Sequence, residues 1–492
     1  MKYTLAIDQS TSATKALLFD PQAILVAQVS VEHKQYYPKP GWVEHDPKEI
    51  MKNVVEAVKI LLSENNIEPS DITSLAITNQ RETVVVWSKQ TGKPVYNAVV
   101  WQCNRGAGIC DELVSKGCEK EVLEKTGLII NPYFSASGVR WVLDNVPGAR
   151  DAAQKGDLLI GTMDTWLIWN LTSGKVHATD YTNASRTLLF NIHSLEWDKE
   201  LLDLFSIPDS MLARVLPSDA TYGTTTFEGL LPEIPIAGVM GDSHGALAGQ
   251  MCNMEGMGKA TYGTGSSIMV NIGEKPLQAP KGLVTSVAFA GAGKVYYAFE
   301  GNIHYTGATI KWMQDELGLV KSAEETEVLA LSVADTDGVY LVPAFTGLGA
   351  PWWDNDARAM ICGMTRGTTR AHIVRAALES ITYQVKDLVD LVSASGVSLK
   401  ELRVDGGPVK NNFLMQLQAD MLGAKINRSP IQEASALGAV IMNGFALKRW
   451  NSWDEVIKLR SQNDYIDPKM SKTEVDRLYE GWKKAVQRVV MK

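Results

Sequence analysis

An α/β protein of two large domains is the fold that the sequence predicts, on three observations. The chain runs to 492 residues, too long for one hydrophobic core. Strand-length apolar runs alternate with stretches of helical periodicity, the pattern of α/β architecture. Each half holds a hydroxyl- or glycine-rich hairpin and, further on, a helix–strand–polar-turn unit. The halves share that layout with too little identity to count as a sequence repeat.

The first domain opens with short strands over 3–7 and 16–19 flanking the turn Asp8-Gln-Ser-Thr-Ser-Ala-Thr-Lys15, then a third strand over 24–31. Apolar residues at Ile50, Val54, Val55, Val58, Leu61 and Leu62 predict a helix over 48–65, started at Asp46-Pro47. A buried strand over 72–78 runs into Asn79-Gln-Arg-Glu-Thr83. Mid-chain, the apolar run Ile236, Ala237, Val239, Met240 ends at Gly241-Asp242 and a helix of small residues. The second domain repeats strand, turn and strand over 260–271, followed by a helix over 373–392 and a strand over 402–404. That strand leads through Asp405-Gly-Gly-Pro-Val-Lys-Asn-Asn412 into a helix ending at Met421. Gly245, Gly249, Gly256 and Gly258 offer a hinge, which divides the chain into domains 1–248 and 249–492.

Hydrophobic residues at 45% and charged residues at 21% suit a folded soluble protein. A net charge of -8 argues against nucleic acid or an anionic membrane as partner. The five cysteines are odd in number and lack a C-x-x-C pair, so they read as reduced thiols of a cytoplasmic protein. The first residues run straight into a strand without a signal-peptide core, and no apolar stretch approaches the ~20 residues of a membrane helix.

Asp242 carries the chemistry. A strand that delivers a carboxylate onto a glycine turn at a helix start puts that group at a cleft edge, where it can accept a proton. Phosphoryl transfer asks a protein mainly for positioning and charge neutralisation. The turn with Thr11, Ser12 and Thr14 hydroxyls suits that task, with Lys15 adding positive charge and Asp8 placed to hold magnesium. Tyr262-Gly-Thr-Gly-Ser-Ser267 is a second such turn, and two facing turns would clamp a triphosphate. Each alone also reads as an ordinary hairpin turn. Gly406 and Gly407 would let a flat ring approach the backbone, with Asn411 to bond it; a strand–helix turn with a capping asparagine is the alternative. Arg81 and Glu82 set a donor fork beside an acceptor, which matches a diol, although a surface ion pair is their commoner fate. Trp101 and Tyr133 could wall such a site, and His244 and His304 read as packed or pocket-lining. The sum suggests a kinase using ATP and Mg²⁺ on a small alcohol.

With those motifs placed, the chain closely resembles the FGGY carbohydrate kinases over nearly its whole length. The blocks are Gly41-Trp-Val-Glu-His-Asp-Pro47, Asn79 to Thr83, Pro94-Val-Tyr-Asn-Ala98 with Trp101-Gln102, and Asn131-Pro-Tyr-Phe-Ser135. They continue with Asp180-Tyr-Thr-Asn-Ala-Ser-Arg-Thr187, Pro343-Ala-Phe-Thr-Gly-Leu-Gly-Ala-Pro351, Val404-Asp-Gly-Gly407 and Asn411-Asn-Phe-Leu-Met-Gln416. The resemblance implies two actin-like (ribonuclease H-like) ATPase domains around an interdomain catalytic cleft, in a homodimer or homotetramer. It makes Asp242 the catalytic base and, with Asp8, a metal-site residue. It puts Thr11, Ser12 and Lys15 in the first phosphate loop, Thr264 in the second, and Gly307, Lys311, Gly407 and Asn411 on the nucleotide. Arg81, Glu82, Trp101, Tyr133 and Asp242 then surround the acceptor.

Members of the family that phosphorylate glycerol usually carry Gly where this chain has Ser10 and Gln at position 311. They have Gln-Gln where it has Ser243-His244, and Cys-Phe where it has Ser266-Ser267. Their phenylalanine packs on glycerol's carbons and their first glutamine meets a hydroxyl. Ser243 and Ser267 as substrate contacts therefore predict a larger, more polar pocket and a four- or five-carbon polyol or ketose. Glycerol in a relaxed pocket is the alternative. The segment 222–235 lacks the histidine and the glycine-arginine loop that carry regulation in some members, so neither control is expected. An actin- or chaperone-type ATPase without a sugar acceptor is a further alternative, which the Arg81-Glu82 turn and Trp101 disfavour.

Overall fold

The computed structural model describes residues 2–352, 354, 356–431, 433–459 and 464–490. Tyr3–Gln9 pairs antiparallel with Ala13–Phe19, and Leu25–Glu32 adds a third strand to this hairpin. On the other side Tyr3–Gln9 runs parallel to Ile72–Asn79, which runs parallel to Ile234–Gly241, with Thr221–Thr225 at the edge. The central strands are buried almost throughout, as expected where elements cover both faces of a sheet. Helix Pro47–Glu64 lays Ile50, Val54, Val55, Val58, Leu61 and Leu62 into the interior, the stripe its spacing predicts. Asp46 caps it, accepting from Lys48 N at 2.9 Å.

The second half builds a seven-stranded sheet on the same plan. Met257–Tyr262 pairs antiparallel with Ser266–Gly273 and parallel with Glu401–Gly406, which runs parallel to Lys425–Arg428. Lys294–Ile303 and Val284–Gly291 extend the hairpin side, and Asp464–Ile466 closes the other. Two α/β domains with matching strand orders are thus present, as the sequence led us to expect. A smaller five-stranded sheet, with Val84–Ser88 and Ala98–Val99 among its strands, grows from the first domain.

Helix Ala434–Ala446 of the second half lies on the first sheet. Its Asn443 donates to Leu75 O at 3.2 Å and Ala237 O at 2.9 Å, and accepts from Ser74 Oγ at 3.0 Å. The same helix presses on Asp242–Gly249. A Cβ at Gly245 would stand 2.6 Å from Ser435 O, and one at Gly249 2.0 Å from Ala434 O. These two glycines, read above as hinge residues, allow two helices to touch. Among the described residues no helix is long and apolar enough to cross a membrane.

Candidate active site

Asp242 stands where strand Ile234–Gly241 becomes helix Asp242–Gly249. Its side chain is 37% exposed, so the carboxylate faces an opening. Arg81 Nε donates to its Oδ1 at 3.0 Å and Ser243 N donates to the same oxygen at 2.6 Å. Both bonds fall on Oδ1, and among the described residues Oδ2 has no hydrogen-bond partner. Gly241 makes this arrangement possible: a Cβ there would meet Arg81 Cγ at 2.6 Å.

Arg81 also donates through Nη1 and Nη2 to the two oxygens of Glu300, at 2.9 and 2.8 Å, and through Nη2 to Ser243 Oγ at 3.1 Å. Among the described residues four of the five guanidinium N–H donors are so engaged, and one Nη1 proton is not. Glu300 belongs to strand Lys294–Ile303 of the second domain. Arg186 Nη1 lies 2.8 Å from Glu300 Oε2, and Arg186 Nε donates to Glu82 Oε1 at 2.6 Å. Arg81, Glu300, Arg186 and Glu82 therefore form a buried chain of alternating charge that crosses between the domains. Burial works to raise the Glu300 carboxyl, but the Arg186 and Arg81 guanidiniums outweigh it and hold the group well below the usual range. Glu82 is set in the left-handed backbone region, φ 61°, strain of the kind concentrated at working sites.

Sequence reasoning missed Glu300 and Arg186. A signal was present for Glu300, a lone charge ending the apolar run 295–299 in a strand.

Trp101 and Tyr133 meet edge to face, with ring centroids 5.5 Å apart. Trp101 Nε1 donates to Thr11 Oγ1 at 2.9 Å, tying this wall to the first turn. Ser12 at that turn is exposed. Lys15 Nζ donates to both oxygens of Glu433, at 2.6 and 2.7 Å, so the expected phosphate cation is held by a carboxylate. Asp8 is buried, and among the described residues its Oδ1 has no hydrogen-bond partner. Burial raises its carboxyl to about 7, against the pull of Lys15 and with added push from Asp242 and Glu433. An orphaned carboxylate oxygen that resists ionisation fits a divalent cation. Among the described residues no group of three or more His, Cys, Asp or Glu side chains could hold a metal alone. A Mg²⁺ ion would then take most of its ligands from phosphate oxygens and water, its usual habit.

The second turn abuts helix Gly307–Asp315: Gly307 N donates to Gly263 O at 3.0 Å. Gly406, at φ +100°, closes on the turn so tightly that a Cβ would stand 1.9 Å from Tyr262 O. Thr264, Gly307, Lys311, Gly407 and Asn411 line one cavity of about 650 Å³, within the size range of small-molecule sites. Ile310, Leu378, Ile381 and Leu414 supply an apolar side suited to a flat ring. Lys311 is exposed and pairs with Asp315 at 2.6 Å. Asn411 does cap a helix, accepting from Leu414 N at 2.9 Å, while donating to Thr326 Oγ1 at 3.1 Å. Ser267 Oγ accepts from Lys259 Nζ at 3.3 Å. His244 is fully buried, with Nε2 3.0 Å from Ser286 Oγ, so it is packed and no base.

A cleft flanked by two such domains, with a carboxylate at its edge and a nucleotide-sized cavity in the second, defines a phosphotransferase of the two-domain kinase class. The chain belongs to the FGGY family of carbohydrate kinases: the models of the N-terminal and C-terminal domains match residues 3–249 and 258–447. It is 52% identical to Glycerol kinase 2 of Thermotoga maritima, and 52% to a glycerol kinase of Caldanaerobacter subterraneus, over 99% of each chain. Among solved structures, Plasmodium falciparum glycerol kinase with ADP superposes with a TM-score of 0.95 at 37% identity, over 100% of this chain and 99% of that one. A xylulose kinase from Lactobacillus acidophilus shares the fold, with a TM-score of 0.88 at 22% identity over 99% of this chain and 98% of that one. The protein is an ATP-dependent phosphotransferase with an alcohol group as acceptor.

Proposed function

We propose that this protein is a glycerol kinase, transferring the γ-phosphoryl group of ATP to a terminal hydroxyl of glycerol. The observation that carries the reading is Asp242, partly exposed and fixed through Oδ1 alone, in a chain half-identical to glycerol kinases along its length. The four- or five-carbon acceptor expected from Ser243 and Ser267 has less support. Their oxygens are already held by Arg81 and Lys259, so the serines do not simply leave space.

Asp242 Oδ2 accepts the proton of the attacking hydroxyl as its oxygen moves in line onto phosphorus. The remaining Nη1 proton of Arg81 and the carboxylate of Glu82 read the neighbouring hydroxyls, while the Trp101 and Tyr133 rings cover the carbons. Thr11, Ser12 and Thr264 offer donors to phosphate oxygens, and Lys15 exchanges Glu433 for phosphate. Asp8 and Asp242 are the residues that would hold Mg²⁺, which when bound neutralises charge on the phosphate oxygens. Closure of the halves 1–248 and 249–492 excludes water, which would otherwise compete as nucleophile; family matches that end at 249 and resume at 258 support that division. ATP as donor and five free cysteines support a cytoplasmic location.

Initial rates of ADP release with glycerol, erythritol, the pentitols, the pentuloses and no acceptor test this function. Highest kcat/KM on glycerol is expected. A higher value on a four- or five-carbon acceptor would instead favour the larger-pocket reading, and acceptor-independent release would mark an ATPase.

A further inference from the structure

Lys259 is 2% exposed in strand Met257–Tyr262. Among the described residues its ammonium has only two partners, Thr261 Oγ1 and Ser267 Oγ, each at 3.3 Å. A buried cation met by hydroxyls instead of a carboxylate is a net loss to folding. What it fixes at close range is the position of those two hydroxyls.

An ammonium has donors and no acceptor, so Ser267 Oγ accepts and its own proton points elsewhere. The same holds at Ser243, whose Oγ accepts from Arg81 Nη2 at 3.1 Å. Neither serine hydroxyl donates to a protein atom among the described residues, and both side chains are partly exposed. The sheet register relates the two pairs. Lys259 lies opposite Met269, and Met269 opposite Glu300, the residue that clamps Arg81; Ser267 is two residues before Met269 on the same face. Two serines, each receiving an N–H from a buried cation, thus flank the cleft with their protons uncommitted.

We propose that Lys259 and Arg81 hold Ser267 and Ser243 as a matched pair of hydrogen-bond donors for the non-reacting oxygens of the acceptor alcohol. Lys259 is then a positioning residue, and the serines select among acceptors. The inference rests on reading the cleft beside Asp242 as the acceptor site. An acceptor lacking the oxygen that a donor awaits leaves that donor buried and unpaired, which is how polar sites discriminate.

The test compares kcat/KM for glycerol with that for propane-1,2-diol, the same molecule short of one terminal hydroxyl. The wild-type preference for glycerol should fall about tenfold in Ser267→Ala, the effect of one lost hydrogen bond. Lys259→Met should give the same loss, and the double variant no more, because the lysine acts through the serine. ADP affinity should be unchanged in all three. An unaltered preference in Ser267→Ala overturns the proposal, and so do losses that multiply in the double variant. Should Lys259→Met not fold, Ser267→Ala decides alone, and an unaltered preference overturns it. A wild-type protein inactive on glycerol would count against the proposed function instead; the same comparison then uses its best acceptor and the matching deoxy compound.

Discussion

Arg81 Nε donates to Asp242 Oδ1 at 3.0 Å while both Nη atoms of the same guanidinium are clamped by Glu300. A strand of the second domain therefore sets the orientation of a carboxylate in the first. The contact between the domains and the orientation of this carboxylate are therefore one arrangement.

Glu300→Gln should separate that coupling from plain stability. Removing one charge from the buried chain leaves Arg81 and Arg186 under-compensated, which costs roughly 3–5 kcal/mol and lowers Tm. Turnover should also suffer. We expect kcat/KM for the acceptor to fall ~10²-fold, the scale of a misplaced catalytic group, with ADP affinity unchanged. Calorimetry with steady-state kinetics checks both, and normal kinetics in a folded variant would show the clamp to be structural only.

Asp8 makes a prediction with a sign. Its folded value, about 7, lies above the unfolded 3.8, so its protonated form stabilises the fold fully below 3.8. That contribution is lost as pH rises through about 7. Asp8→Asn, which cannot ionise, should therefore raise the Tm of the nucleotide-free protein at pH ~8 and leave it little changed at pH ~4. Activity should be lost in the same variant, since the carboxylate is what a cation would meet. A Tm lowered at both pH values would contradict this account of Asp8.

On the proposed function, Lys15 must leave Glu433 to meet phosphate. Removal of that carboxylate as Glu433→Gln should tighten ADP binding about threefold, in keeping with the modest worth of a partly exposed pair. The gain should shrink at high salt. Titration calorimetry at two ionic strengths measures it, and weaker binding would mean that Glu433 supports the nucleotide site.

Much of this site was legible in the chain, for identifiable reasons. Both hairpins announce themselves as strand, hydroxyl or glycine turn and strand, and Asp242 as a carboxylate after a glycine at the end of an apolar run. Thr264, Gly407 and Asn411 are marked by their own turns, Gly307 and Lys311 by family positions alone, and all five line one cavity. The partners were harder to see. Glu433 meets Lys15 across 418 residues of sequence, and no local pattern encodes such a contact. Arg186 and Glu300 are strand and turn residues whose charges make sense only when two domains bring them together. Lys259 lies in a strand where no local pattern marks a lysine as buried. Gly245 and Gly249 also serve a close helix contact that the sequence does not reveal, because flexibility and close packing ask for the same residue type.

Asp242→Asn is the most direct measurement of the central claim. The amide keeps the shape and the contact with Arg81 in reach but cannot take a proton. The account predicts that kcat with glycerol falls by ~10²-fold or more while ADP affinity changes little. Turnover within a few-fold of wild type would contradict it, because a carboxylate that can be neutralised at no cost is not the base.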